Sequence, residues 1–180
     1  MCIRDRVKAA GFPGLHLQGI LWEAFPSAVS HVPGDTTSTQ NNIVNILGIN
    51  SLTNYQFVHL APPEDDYVEW GKKVTALWPK WDTSFSVPYF PHVATHWDTN
   101  SRFVEYRPDV KYNANPEHFK RFLKEAKAYL DAHPKQPRLI TINSWNEWSE
   151  GSYLEPDTVN GMRYLEAVRD VFMTPASIHQ

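Results

Sequence analysis

The stretch Ile140-Thr-Ile-Asn-Ser-Trp-Asn-Glu-Trp-Ser-Glu-Gly-Ser-Tyr-Leu-Glu-Pro-Asp157 begins as an apolar β-type run and then becomes polar and aromatic. A short strand that leads into such a loop is typical of parallel sheets, where functional side chains follow the carboxyl ends of strands. Glu147 and Glu150 lie three residues apart between tryptophans. Aromatic rings cover the C–H face of a sugar while carboxylates act on its oxygens, so the stretch points to carbohydrate chemistry.

Helical patterns flank this stretch on both sides. Upstream, Asn115 is suited to be an N-cap and Pro116 to be the first helical residue, and the helix should end near His133-Pro134. Downstream, an amphipathic helix is predicted from about Gly161 to Phe172, with Leu165 and Val168 also facing inward.

Strand and helix patterns also alternate through the first half of the chain. A long loop is predicted from Trp22 to Gln40, and a helix from the acidic residues 64–66 to about Trp78. The predicted strands are 15–21, 51–58, 85–90 and 138–143, and the other predicted helical segments are 7–10 and 42–47.

Four strands that alternate with helices predict βαβ units and a parallel sheet. A doubly wound sheet would usually carry a glycine-rich phosphate loop, and no G-x-G-x-x-G or Walker sequence is present. Because polar and aromatic loops follow the last three strands, a barrel fits better. A complete barrel needs about 250 residues, so we expect an α/β fold that is the C-terminal half of a (β/α)8 TIM-type barrel, with about four βα units.

The sequence suggests three segments. Residues 1–6, Met1-Cys-Ile-Arg-Asp-Arg6, resemble a translated sequencing-adapter remnant and are expected to be non-native. Residues 7–175 form the partial barrel, and residues 176–180 form a tail. The missing N-terminal half would then carry the rest of the site and any targeting signal, so the sequence leaves the compartment undetermined.

Composition excludes several classes of protein. With 42% hydrophobic and 21% charged residues the chain should fold, and a net charge of -3 without a basic run argues against a nucleic-acid partner. No apolar run approaches the roughly 20 residues of a membrane span. The single cysteine, Cys2, excludes an intramolecular disulfide, and no cofactor is predicted.

The spacing of Glu147 and Glu150 suits a pair of catalytic carboxylates if the loop turns, which Gly151 favours. Carboxyl groups about 5 to 5.5 Å apart suit a retaining glycosidase, and about 6.5 to 9.5 Å an inverting one. Like charges this close push the two pKa values apart, so one group can hold a proton while the other is ionised. The alternative is that both are solvated loop charges or carboxylates stabilised at a helix N-terminus. Glu155 and Asp157 are expected to belong to a Pro-bearing turn before the last helix.

Further candidate residues lie after the other strands. Trp97, Asp98 and Arg102 could bind sugar hydroxyls or a charged substituent, or Asp98 and Arg102 could form a structural pair. The remaining substrate-binding candidates are Trp145, Asn146, Trp148, Tyr55, the neighbouring Asn54 and His96. His92 and His96 lack a matching third ligand, so no metal site is predicted.

The motif from Trp145 to Asp157 resembles the signature of the glycoside hydrolase family 99-like domain, which includes WbsX-type proteins often labelled glycosyltransferases of polysaccharide gene clusters. The segments 97–102 and 161–165 also resemble that family. The resemblance implies a (β/α)8 barrel and a retaining mechanism in which Glu147 assists attack by the sugar 2-hydroxyl and Glu150 is general acid, then base. Ser149 stands where the endo-α-mannosidase relatives have histidine, which puts the mannosidase substrate in question.

Four functions therefore remain open. The first is a retaining glycoside hydrolase acting on a poly- or oligosaccharide, and the second is a glycosyltransferase of surface-polysaccharide assembly. The third is a non-catalytic carbohydrate-binding domain. In the fourth, Asn146 and Glu147 form the acid/base pair of an ordinary barrel glycosidase whose nucleophile lies elsewhere, with Glu105 the main candidate in this chain. The 180 residues alone are expected to be inactive.

Overall fold

The computed structural model describes residues 2–22, 40–61 and 66–173. Short strands alternate with helices along these residues, and 3-10 turns follow several of the strands. The strands are β1 (Gln18–Leu21), β2 (Ser51–Asn54), β3 (His92–Ala94), β4 (Thr141–Asn143), β5 (Asn146–Glu147) and β6 (Ser152–Tyr153). The helices are α1 (Ile3–Ala9), α2 (Gln40–Ile46), α3 (Tyr67–Thr75), α4 (Trp78–Ser84), α5 (Pro116–Ala132) and α6 (Arg163–Phe172).

The first four strands pair in parallel, as predicted. β1 pairs with β2 from Gln18↔Ser51 to Leu21↔Asn54, and β3 pairs with β4 from His92↔Thr141 to Ala94↔Asn143. A parallel bridge between Leu52 and Tyr89 links the two pairs. The fold is therefore mixed α/β, and β1 to β4 point one way, so that their carboxyl ends lie at one edge.

All four predicted strands differ in their bounds from β1 to β4, and two of the differences have a clear physical reason. The bounds of the strand expected at 85–90 are wrong, since the ladder covers His92–Ala94 and only Tyr89 within 85–90 forms a bridge, with Leu52. Pro88 and Pro91 have no N–H to donate, so the ladder to β4 begins only after Pro91. The strand expected at 51–58 ends at Asn54, because Gln56 Oε1 accepts a hydrogen bond from the Phe57 N–H at 2.6 Å and begins a 3-10 turn.

The helix expected to reach Trp78 ends at Thr75 instead. Pro79 lacks an N–H and its ring would clash with the carbonyl one turn earlier, so it starts a new helix, α4, near its N-terminus. The N-cap predicted at Asn115 is confirmed, since its side chain accepts from the His118 N–H at 3.0 Å. The loop predicted from Trp22 to Gln40 lies almost wholly outside the described residues.

Helices α3 and α5 form the centre of the core. Trp70, Phe119 and Phe122 are fully buried, and Phe122 packs edge-on against Tyr67 with ring centroids 5.5 Å apart. Gly71 lets the two helices approach, because a Cβ there would lie 2.1 Å from Phe122 Cζ.

The two ends of the described chain pack differently. Val168 and Phe172 of α6 pack on the core as predicted, but Tyr164 and Ala167 are more deeply buried than Leu165. At the other end, α1 runs across the boundary expected after residue 6, and Arg4 donates to the Leu15 carbonyl at 2.9 Å. In the described part of the chain, no helix is long and apolar enough to span a membrane.

Candidate active site

Residues 144–157, which we call the carboxylate loop, form a hairpin that follows β4. β5 and β6 pair antiparallel through Asn146↔Tyr153 and Glu147↔Ser152, and a 3-10 turn at Trp148–Glu150 joins them. Gly151 ends the turn with φ of +64°, which favours glycine. The turn predicted from the sequence is therefore present, and it directs Glu147 and Glu150 toward the same neighbour.

That neighbour is Arg102, in the loop after β3. Its Nη2 lies 3.3 Å from Glu147 Oε1 and 3.1 Å from Glu150 Oε1. Because both oxygens contact one nitrogen at these distances, they can be no more than about 6.4 Å apart. The two carboxylates thus share a single guanidinium as their counter-charge.

Glu147 and Glu150 differ in their surroundings. Glu150 is only 7% exposed, and its Oε2 is buried and has no hydrogen-bond partner among the described residues. Burial raises the pKa of Glu150, the charge of Glu147 adds to this, and Arg102 opposes it. The side chain of Glu147 is 36% exposed. Glu150 is therefore the member of the pair that is better suited to hold a proton.

Asp98 does not pair with Arg102, which was the structural alternative, but bonds to Asn100. Asp98 Oδ1 accepts from the main-chain N–H of Asn100 at 2.9 Å and from its side-chain amide at 2.8 Å. Among the described residues, Arg102 forms its ion pairs with the two glutamates. Asp98 therefore shapes the turn that presents Arg102.

Gln56, which the sequence did not single out, joins three of the strand-end loops. Its Nε2 lies 2.9 Å from Asn143 Oδ1, 2.9 Å from Ser152 Oγ and 3.2 Å from the carbonyl oxygen of His96. Ser152 Oγ also donates to the His96 carbonyl. The sequence carried no signal for this role, because Gln56 lies inside the strand predicted at 51–58 and its full burial, which requires partners for the amide, is visible only in the fold.

The tryptophans divide into exposed and packed groups. Trp145 is 53% exposed and Trp148 is 46% exposed. Trp148 stacks on Tyr153 with ring centroids 3.7 Å apart, and its Nε1 donates to Glu155 at 2.6 Å. Trp97 packs partly against the core instead. Trp145 and Trp148 thus present aromatic surface beside the glutamates.

The candidates after β2 lie at the same edge of the sheet but have structural partners. Asn54 is buried, and both ends of its amide have structural partners: its nitrogen donates to the Leu21 carbonyl, and its oxygen accepts from the Tyr89 hydroxyl. Tyr55 stacks on Trp22 with centroids 5.4 Å apart. Asn146 is exposed in β5.

The two candidate histidines do not converge. His92 lies in β3 rather than in a loop, and burial lowers its pKa to about 3. His96 Nε2 donates to the Lys111 carbonyl at 3.0 Å, and burial lowers the pKa of His96 too. Over the three described ranges, no group of three or more His, Cys, Asp or Glu residues could hold a metal ion.

The sequence and the fold are similar to those of known proteins. The profile of the family described as "Glycosyltransferase WbsX" matches residues 2–168. The chain is 33% identical over 81 residues to "Uncharacterized protein WxcX" of Xanthomonas campestris pv. campestris, in strains B100 and ATCC 33913, a match that covers 44% of the chain and 12% of WxcX.

A solved structure with a similar fold is the GH99 endo-alpha-mannosidase from Bacteroides thetaiotaomicron. The TM-score is 0.50 at 12% sequence identity, and the match covers 88% of this chain and 46% of that enzyme. The chain thus spans less than half the length of the proteins it resembles. It has a GH99-like fold, and it belongs to the WbsX glycosyltransferase family, which confirms the resemblance inferred from its motifs.

Proposed function

We propose that this chain carries the catalytic carboxylates of a carbohydrate-active enzyme that cleaves glycosidic bonds with retention of configuration. One observation supports the proposal above all others. Glu147 and Glu150 share one guanidinium at the carboxyl end of a parallel strand, and exposed tryptophans flank them.

We further propose that the described strands are the C-terminal half of a (β/α)8 barrel of about four βα units. The outer edge of β4 supports this, because Leu139 is 42% exposed and Ile140 and Ile142 are only partly buried. These residues line a groove of about 430 Å³ together with Val168 and Phe172 of α6. Apolar side chains along a strand edge suit a further parallel strand, which the N-terminal half would supply.

The different surroundings of the two glutamates fit a division of labour. Glu150, with its raised pKa, gives its proton to the leaving glycosidic oxygen. Glu147 takes the proton of the sugar 2-hydroxyl. The 2-oxygen bonds to the anomeric carbon at the same time, which forms an anhydro sugar. Water then opens this ring, Glu150 takes the proton of the water and Glu147 returns its proton to the 2-oxygen. The net change is hydrolysis with both carboxyl groups restored.

The spacing of the carboxylates also favours retention. Their Arg102-contacting oxygens lie at most about 6.4 Å apart, a range that includes the separation of about 5 to 5.5 Å typical of retaining enzymes. Carboxyl groups this close suit two successive displacements at the anomeric carbon, the first by the 2-oxygen and the second by water, and the two inversions give net retention.

The test uses the longer protein that contains this chain and a panel of bacterial polysaccharides, with released reducing ends as the readout. Glu147→Gln and Glu150→Gln should each lower glycan cleavage by about 1000-fold or more. Glu166→Gln is the matched control, since Glu166 is exposed on α6. Cleavage at the wild-type rate by either site variant would contradict the proposal.

The description of the matched family favours a glycosyltransferase as the second candidate function. The side chain of Arg102 is 41% exposed, so its guanidinium could approach the anionic leaving group of an activated sugar donor. Turnover of a nucleotide-sugar donor without glycan cleavage would support this function. A third outcome would support a binding domain: the wild type neither cleaves glycans nor turns over a sugar donor, and both glutamine variants bind glycan as the wild type does.

A further inference from the structure

The hydrogen bonds of the Glu147 carboxylate all meet at one of its two oxygens. Oε1 accepts from Ser149 Oγ at 2.6 Å and from Arg102 Nη2 at 3.3 Å. None of the hydrogen bonds between described residues involves Oε2, and the side chain is 36% exposed. One oxygen is therefore held by the protein while the other is left to meet a ligand.

Ser149 has only one proton, and the contacts determine where it points. Ser149 Oγ accepts from Arg102 Nε at 3.0 Å and from Arg102 Nη2 at 2.8 Å. Because a guanidinium only donates, the hydroxyl proton remains for Glu147 Oε1. The carbonyl of Ser149 accepts from Ser101 Oγ at 2.9 Å, which fixes the backbone as well.

We propose that Ser149 and Arg102 are positioning residues that hold Glu147 by Oε1 and so make Oε2 the reacting oxygen. This inference rests on the proposed function and deepens it, because it names the reacting atom and the groups that orient it. The terminal torsion of a glutamate is broad. A half-exposed carboxylate would otherwise sample many orientations, whereas charge-assisted hydrogen bonds fix it before substrate arrives.

The kinetic test compares Ser149→Ala with Ser149→Thr in the longer protein, on the glycan that the cleavage assay identifies. Loss of a hydrogen bond to a charged group should lower kcat by about 10- to 100-fold while KM changes less than about twofold. Ser149→Thr keeps the hydroxyl and should recover most of kcat. Ser84→Ala on α4 is the matched control, since Ser84 is exposed and its Oγ donates to the Lys80 carbonyl of the same helix. A rise in KM with unchanged kcat, or no recovery with threonine, would overturn the proposal.

A second test needs no substrate. In protein labelled with ¹³C at the glutamate carboxyl carbons, Ser149→Ala should move the Glu147 resonance and leave the Glu150 resonance in place. Arg102→Gln should move both, because one guanidinium contacts both groups. An unmoved Glu147 resonance in Ser149→Ala would contradict the inference.

The two proposals can fail separately. If Glu147→Gln and Glu150→Gln retain glycan cleavage, the proposed function is wrong. If the Glu147 and Glu150 carboxyl resonances still respond to Ser149→Ala and Arg102→Gln as expected, the hydrogen bonds that hold Glu147 are nevertheless supported. If those variants lose cleavage but Ser149→Ala keeps its kcat, the inference alone is wrong.

Discussion

The main-chain N–H of Asp98 donates to the carbonyl oxygen of Glu150 at 2.8 Å. This bond joins the loop after β3 to the carboxylate loop after β4, so Arg102 and the glutamates are held in register by the backbone. The two loops are also closely packed next to this bond, since Gly151 lies directly against His96 and Asp98.

Gly151→Ala should therefore lower the free energy of unfolding by about 3 kcal/mol, from left-handed strain plus crowding. An added Cβ would lie 2.9 Å from His96 Nδ1 and 3.2 Å from Asp98 Cβ. Gly161→Ala is the control, because Gly161 has φ of +55° and no heavy atom within 4 Å of the added Cβ. Urea unfolding should show a loss of only about 1 kcal/mol there. Equal losses would show that crowding at Gly151 is unimportant.

Gly71→Ala should destabilise the fold although alanine favours helices. Its Cβ would lie 2.1 to 2.7 Å from three ring carbons of the buried Phe122, and the packed helices cannot yield without an overpacking cost of about 1 to 3 kcal/mol. In a double-mutant cycle, Phe122→Leu should cost less in the Gly71→Ala background than in the wild type. Additive losses in chemical denaturation would argue against this steric reason.

His92 should make the protein less stable in acid. Burial lowers the pKa of His92 from 6.5 to about 3, so the unfolded chain takes up a proton that the folded chain refuses. The free energy of unfolding should then fall as pH drops from 6.5 toward 3, by at most about 1.4 kcal/mol per pH unit from this group. His92→Gln should flatten that dependence in urea titrations between pH 7 and 4. His118→Gln at the start of α5 is the control, and an unchanged slope in His92→Gln would count against the prediction.

Glu150 should have the opposite dependence on pH. Burial raises its pKa above 4.5, so the folded state holds the proton more tightly than the unfolded state. Its contribution to stability is present at low pH and is lost as pH rises from 4.5 through the folded-state pKa. Glu150→Gln should therefore raise Tm relative to wild type more at pH 7 than at pH 4. Glu166→Gln removes the same charge from an exposed site, and a matching pattern there would exclude burial as the cause.

Local chemistry made part of the fold predictable. Asn115 and Pro116 mark the start of α5 because capping and a fixed φ act within a single turn. The strand at 85–90 was mispredicted because Phe85, Val87 and Tyr89 alternate as a strand does, whereas pairing depends on β4, about fifty residues later. Short strands follow their partners more than their own composition.

In the site, too, local features could be predicted from the sequence and long-range contacts could not. The spacing of Glu147 and Glu150 and the flanking tryptophans can be read from one short stretch. The contact of Arg102 with Glu147 spans 45 residues, and a nearby Asp98 offered an equally good partner in sequence. Only the packing of two neighbouring loops decides between them.

Gln56 limits how the carboxylate loop could be used elsewhere. Its amide nitrogen contacts Asn143, Ser152 and the His96 carbonyl, which belong to two different loops. The carboxylate loop therefore depends on residues outside the motif and would not keep its shape if it were transferred alone. A designer who transplants residues 144–157 into another protein would also have to carry over a glutamine after a different strand, and the loop that contains His96.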